Sequence, residues 1–170
     1  FLKLLDGTYS LSGGVNGDSA GGAITGDVRS ALTGASSAKT GIHALDDDSL
    51  NISMAAVPGI TEQTVQNELI TLAESSQNFL AVVSPPEGLT TPQKAINWHN
   101  GQGDGRTAAI NSSYAAIYWP WLKVFDVKSA ADIYIDPAAY AISVMCHTDS
   151  VSDPWFAPAG LTRGRLTKPT

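Results

Sequence analysis

Five consecutive apolar residues, Phe79-Leu-Ala-Val-Val83, followed by Ser84-Pro85-Pro86, constrain the fold of this chain more than any other stretch. The run is short and rich in strand formers. It predicts a strand buried on both faces that stops where proline removes the ladder donor. A strand covered on both sides needs helices to cover it, and the sequence offers three. Thr61 reads as an N-cap, Glu62 suits the positive end of a helix, and Val65, Leu69, Leu72 and Ala73 recur at helical spacing. Thr91-Pro92 pairs a cap with a proline at the first helical position and opens a helix through Trp98. Asp136-Pro137 repeats that signal ahead of the stripe Ala138, Ala141, Ile142 and Met145.

Two further strands complete the pattern. Leu50, Ile52, Met54 and Ala56 alternate with smaller or polar residues up to the Pro58-Gly59 turn, and Tyr114 to Trp119 reads as a central buried strand. Strands alternating with helices imply parallel neighbours joined by right-handed crossovers. The expected class is therefore α/β, a mixed, largely parallel β-sheet with helices packed on its faces. The 170 residues, 43% of them apolar, fit one domain, residues 1–170. Around this frame, Thr8 to Leu11 suggests an edge strand entering a turn at Gly13-Gly14, and Asp27 to Leu32 a short helix stopped at Gly34. Ser36 to Thr40 reads as a loop, and Gly101 to Arg106 as an exposed, flexible connection.

Charge excludes one class of function. A formal net charge of -6 and a pI near 4.8 do not suit a general nucleic-acid binder, which needs clustered Lys and Arg to neutralise phosphates. The basic residues are scattered apart from Arg163, Arg165 and Lys168 near the end. No apolar run approaches the roughly 20 residues that span a bilayer, so membrane insertion is not expected. Cys146 is the single cysteine, which rules out an intrachain disulfide, and its apolar-periodic setting predicts a small buried hydrophobe.

The sharpest enzyme-like signal is Gly17-Asp18-Ser19-Ala20-Gly21, a match to the Gly-x-Ser-x-Gly nucleophile elbow that would make a small serine esterase of this chain. The elbow needs a buried strand before the serine and an oxyanion-hole segment upstream. Leu11 to Asn16 is a glycine turn instead, and no His-Gly-Gly motif precedes it. No catalytic residue is therefore expected, and the chain reads as a non-enzymatic protein. Asp46-Asp47-Asp48 lacks the alternating ligands and glycine of a calcium loop and reads as a solvated acidic turn. His43, His99 and His147 lack paired metal-ligand spacing, so neither metal nor cofactor is expected.

Aromatic residues crowd into two late segments. Asn111-Ser-Ser-Tyr-Ala-Ala-Ile-Tyr-Trp-Pro-Trp121 and Asp153-Pro-Trp-Phe-Ala-Pro-Ala-Gly160 hold three of the four tryptophans. Together with Thr148-Asp149, they resemble motifs of the contractile tail sheath proteins of phages. A weaker likeness runs through Leu11, Gly13, Gly14, Asn16 and Gly17, the acidic residues ahead of the Leu50 strand, and Trp98, so that it spans Leu11 to Gly160. Tyr140 to His147 departs from the family pattern, being more apolar and lacking its arginine. The resemblance implies a structural subunit that polymerises helically around an inner tail tube and contracts to drive the tube through a host envelope during genome delivery. Implied partners are further copies of the chain, the tube protein, and baseplate and tail terminator proteins. The implied location is the virion tail, with host cytoplasm during assembly. The chain is expected to be a fragment of a larger subunit, lacking most of the terminal arms that add strands to neighbours' sheets. Trp155 to Gly160, bracketed by prolines, is the expected inter-subunit or tube-facing loop.

Overall fold

A computed structural model describes residues 26–153 and 155–165. The expected strand at Thr8 to Leu11, the Gly13-Gly14 turn and the Ser19 motif lie outside the described residues.

The first described element is α1 (Gly26–Thr33), whose C-terminal stop at Gly34 agrees with the sequence. Gly34 has a φ of 68° and Gly41 a φ of 58°. A Cβ at Gly34 would sit 1.9 Å from the Thr40 carbonyl oxygen, and one at Gly41 would sit 2.4 Å from the Leu32 carbonyl oxygen. Glycine is thus required twice where α1 turns back on itself. The segment expected to be a loop contains a 3-10 turn at Ser36–Ala38, and further 3-10 turns follow at Gly41–Leu45 and Asp48–Leu50. The strand expected from Leu50 is much shorter. Leu50 closes a 3-10 turn, Asn51 is left-handed, and only Met54–Ala55 forms β1.

Helix α2 (Gln63–Ser76) buries the expected stripe of Val65, Leu69, Leu72 and Ala73. Its N-cap is Glu62 instead of Thr61, and the Glu62 carboxylate pairs with Arg29 of α1. Strand β2 (Leu80–Val83) is followed by α3 (Pro92–His99), where the Thr91 hydroxyl accepts from the Lys94 N–H at 3.4 Å. Strand β3 (Ala115–Ile117) completes a three-stranded parallel sheet in the order β1-β2-β3, with Ala81 opposite Ala115 and Val83 opposite Ile117. The consecutive order and parallel pairing are those of two successive β-α-β crossovers.

Both faces of this sheet are covered. Ala81 and Val83 join the main core with Val65, Leu69, Ala73, Phe79 and Trp98, while Val82 packs on the other side with Ala138 and Ala141 of α4 (Pro137–Val151). The apolar run that carries β2 is therefore central and buried on both faces, as its composition demands.

Two expectations change. Tyr114 to Trp119 is not a central strand, because β3 pairs only with β2 among the described residues and its residues are half-buried. Antiparallel structure also appears as a separate sheet, the hairpin of β4 (Leu122–Asp126) and β5 (Ala131–Ile135), which does not join the parallel one. The α/β class holds, with two sheets in place of one mixed sheet.

Candidate assembly surface

The aromatic segment that follows β3 acts as an anchored corner. A cis peptide joins Trp119 to Pro120. The Trp119 indole N–H donates to the Leu89 carbonyl at 2.6 Å, and that of Trp121 donates to the Pro85 carbonyl at 2.8 Å. Each indole thereby satisfies its donor while its ring packs partly into the body. At the other end of the hairpin, Asp136 is buried. One carboxylate oxygen accepts from the Ser84 hydroxyl at 2.5 Å and from the Ala138 N–H at 2.8 Å, and the other accepts from the Gly59 N–H at 2.6 Å. The expected Asp136-Pro137 cap is thus present and also ties α4 to β2 and to the turn after β1.

Between these anchors the hairpin stands largely exposed. Its register pairs Leu122 with Ile135, Lys123 with Tyr134, Val124 with Ile133 and Phe125 with Asp132. One face is therefore Leu122, Val124, Ile133 and Ile135, and the other carries Phe125 and Tyr134 beside a 2.7 Å Lys123–Asp132 ion pair. Phe125 is 57% exposed and Val127, at the turn, 71%. A two-stranded ribbon with apolar residues on both faces and neither edge paired among the described residues is a template for another chain.

The tip is closed by Asp126, whose carboxylate accepts from the Lys128 and Ser129 N–H groups, both at 3.1 Å. The Ser129 hydroxyl first, then these backbone donors, hold its carboxyl below the usual carboxylate range. A depressed carboxyl contributes stability above its unfolded value and loses it as pH falls through the folded one. Amide protection of Lys128 and Ser129, corrected for intrinsic exchange, is expected to fall below about pH 4 in the native chain. In Asp126→Asn it should stay flat across the same range. Equal pH profiles in the two proteins would contradict this assignment.

An apolar groove of about 240 Å³ lies at the root of the hairpin, lined by Tyr118, Pro120, Leu122, Tyr140, Val144 and Met145 among others, with Pro158 and Gly164 as a further wall. Those last two residues belong to the segment that leads into and follows the short helix α5 (Gly160–Arg163). Trp155 in this segment is 77% exposed and Leu161 93%. The segment is held by its own contacts. The Phe156 N–H donates to the Asp153 carbonyl at 2.9 Å, the Arg163 guanidinium lies 4.9 Å over the Phe156 ring, and Arg163 Nε donates to the Ala157 carbonyl at 3.3 Å.

Other singled-out residues do not converge. His43 Nε2 lies 3.0 Å from Glu68, His99 sits beside Asn100, and His147 is exposed on α4. Among the described residues no group of three or more His, Cys, Asp or Glu side chains is placed to hold a metal ion. Asp47 caps a 3-10 turn through the Ser49 N–H at 2.9 Å, and Asp48 accepts from the Asn78 amide at 3.2 Å. Cys146 is exposed, contrary to expectation, because α4 turns Ala138, Ala141 and Thr148 inward and leaves position 146 on the outer side.

Sequence reasoning missed Arg106. The glycine loop before it is exposed as expected, yet Arg106 itself is 2% exposed. Its guanidinium lies 4.8 Å over Trp98 and donates to Gln66 at 3.3 Å and Asn67 at 2.6 Å. Burial pulls its pKa down. Among the described residues no helix is long and apolar enough to cross a membrane.

No family model matches the chain. It is 28% identical over 115 residues to the tail sheath protein of Enterobacteria phage T4, covering 62% of this chain and 18% of that protein. It is 26% identical over 117 residues to the tail sheath protein of a Vibrio phage, KVP40, covering 61% of this chain and 17% of that protein. The chain therefore spans less than a fifth of the length of these curated relatives. The likeness to phage tail sheath proteins suggested by its aromatic segments holds over about three fifths of its sequence.

Proposed function

We propose that this chain is part of a structural subunit of a contractile tail sheath, a virion component that assembles helically with copies of itself around an inner tail tube and contracts to drive that tube through the host envelope during genome delivery. The observation that carries this reading is the match to two tail sheath proteins. The exposed hairpin suits it, since among the described residues β4 and β5 each offer an edge to which a neighbour's terminal arm adds a strand. Contraction in such an array is a switch between two packings of the same subunits, with the energy stored at assembly and no nucleotide consumed by the subunit. Baseplate and tail terminator proteins are the further partners, and assembly takes place in the host cytoplasm. Neither nucleic-acid binding nor enzymatic activity belongs to this role.

Electron microscopy of the full-length parent protein tests it. Striated tubes are expected, and a parent that stays monomeric under assembly conditions would refute the reading. Stoichiometric, heat-sensitive labelling of Ser19 by a fluorophosphonate would favour a hydrolase instead.

A further inference from the structure

We infer that the groove at the hairpin root receives Trp155 of a second copy of this chain. This rests on the reading that copies assemble, and it adds the contact by which they grip one another. The lining of the groove is uncharged throughout, with two tyrosines, a tryptophan, three prolines and Met145. Such a pocket suits an aromatic anchor and offers nothing to a phosphate or a carboxylate. The matching knob is on the page. Pro158 and Gly164 already wall the groove, while Trp155, Phe156 and Leu161 of the same segment remain exposed, their loop held shut by Arg163.

Area supports a second copy as the occupant. Phe125, Tyr134, Trp155 and Phe156 are exposed by between two fifths and four fifths, and Val127, Ile133 and Leu161 add to them. At roughly 150–250 Å² for each fully buried aromatic, the exposed parts of the four aromatics supply about 340–570 Å², and the three aliphatic side chains bring the total toward the roughly 800 Å² per partner of a standard interface. Trp155 is not itself part of the groove's lining. A copy whose Trp155 fills its neighbour's groove keeps its own groove open for the next, and a head-to-tail contact of this kind builds a ring or an open helix of copies.

The test uses the 170-residue chain with Trp155 replaced by the photoreactive p-benzoylphenylalanine, prepared as an equal mixture of ¹⁴N and ¹⁵N protein. Irradiation is expected to yield cross-linked peptides of mixed isotope joining position 155 to the Tyr140 to Met145 region. Same-isotope products alone would mean that the segment closes over its own groove, and cross-links elsewhere or none would equally overturn the inference. Trp155→Ala, at an exposed position, is expected to weaken self-association in sedimentation by about tenfold or more, the factor that truncating an aromatic hot spot costs. Failure here is separable from failure of the sheath reading. Striated tubes of the full-length parent that assemble unchanged with Trp155→Ala would refute this contact and leave the sheath role standing. Mixed-isotope cross-links from a parent that forms no tubes would do the reverse.

Discussion

Trp98→Ala is expected to destabilise the domain by about 3–5 kcal/mol, the range for removing a large aromatic from a packed core. Trp98 is 1% exposed and joins the main core beside Val65, Leu69 and Phe79. Its loss also removes the surface on which the Arg106 guanidinium rests. That cation has no carboxylate partner among the described residues; only the Gln66 and Asn67 side-chain oxygens receive its N–H groups, and Nε has no partner there. Unstacked, it would sit buried with less compensation than before. Since whole domains are stable by about 5–15 kcal/mol, a large share of the folding free energy is at stake. Urea denaturation should show a lower midpoint at unchanged slope. Trp98→Phe, which keeps an aromatic face, should recover part of the loss. A midpoint within error of the native value would mean that the site collapses fully, against the packing described.

The second large effect concerns Asp136. Asp136→Ala removes acceptors from three donors at once, the Ser84 hydroxyl and the Gly59 and Ala138 N–H groups. Loss of a helix cap alone costs about 0.5–2 kcal/mol, and each buried donor left without a partner costs about 1–3 kcal/mol. Some relaxation will recover part of that sum, so the expected destabilisation is about 3–4 kcal/mol. Asp136→Asn keeps one acceptor oxygen but turns an amide donor toward a donor, and should fall between the two. In a double-mutant cycle with Ser84→Ala the two losses should fail to add, because the residues share one hydrogen bond. Additive losses would show that Ser84 and Asp136 act independently and would contradict the 2.5 Å contact.

How much of this was legible in the sequence depended on whether the cause was local. The caps at Thr91-Pro92 and Asp136-Pro137 and the buried stripe of α2 follow from neighbours within a turn or two, and the structure places them as read. The rank of a strand within its sheet is not local. Apolar runs at Phe79 to Val83 and Tyr114 to Trp119 look alike, yet among the described residues only the first has strands on both sides. The hairpin was hidden by its turn, because the left-handed position is filled by Ala130 at φ 51° instead of the Gly or Asn that signals a tight connection. Arg106 was illegible because its partners, Gln66 and Asn67, lie about forty residues away and carry no charge to mark them. Of the candidate surface, the exposure of Trp155 agrees with its place in a proline-bracketed segment outside the regular apolar alternation. The groove has no such mark in the sequence, since its walls come from three separate stretches of chain.

The two tethers of the hairpin have a mechanical consequence. Trp121, just before β4, holds the Pro85 carbonyl, and Asp136, just after β5, holds the Ser84 hydroxyl. Both legs of the ribbon are thus fastened to adjacent residues at the end of the central strand. A pull or twist applied at the hairpin tip is therefore delivered to one spot, just past the end of β2. The hairpin is in effect a lever with a clamped root, so that a neighbour holding it would turn the whole body with it.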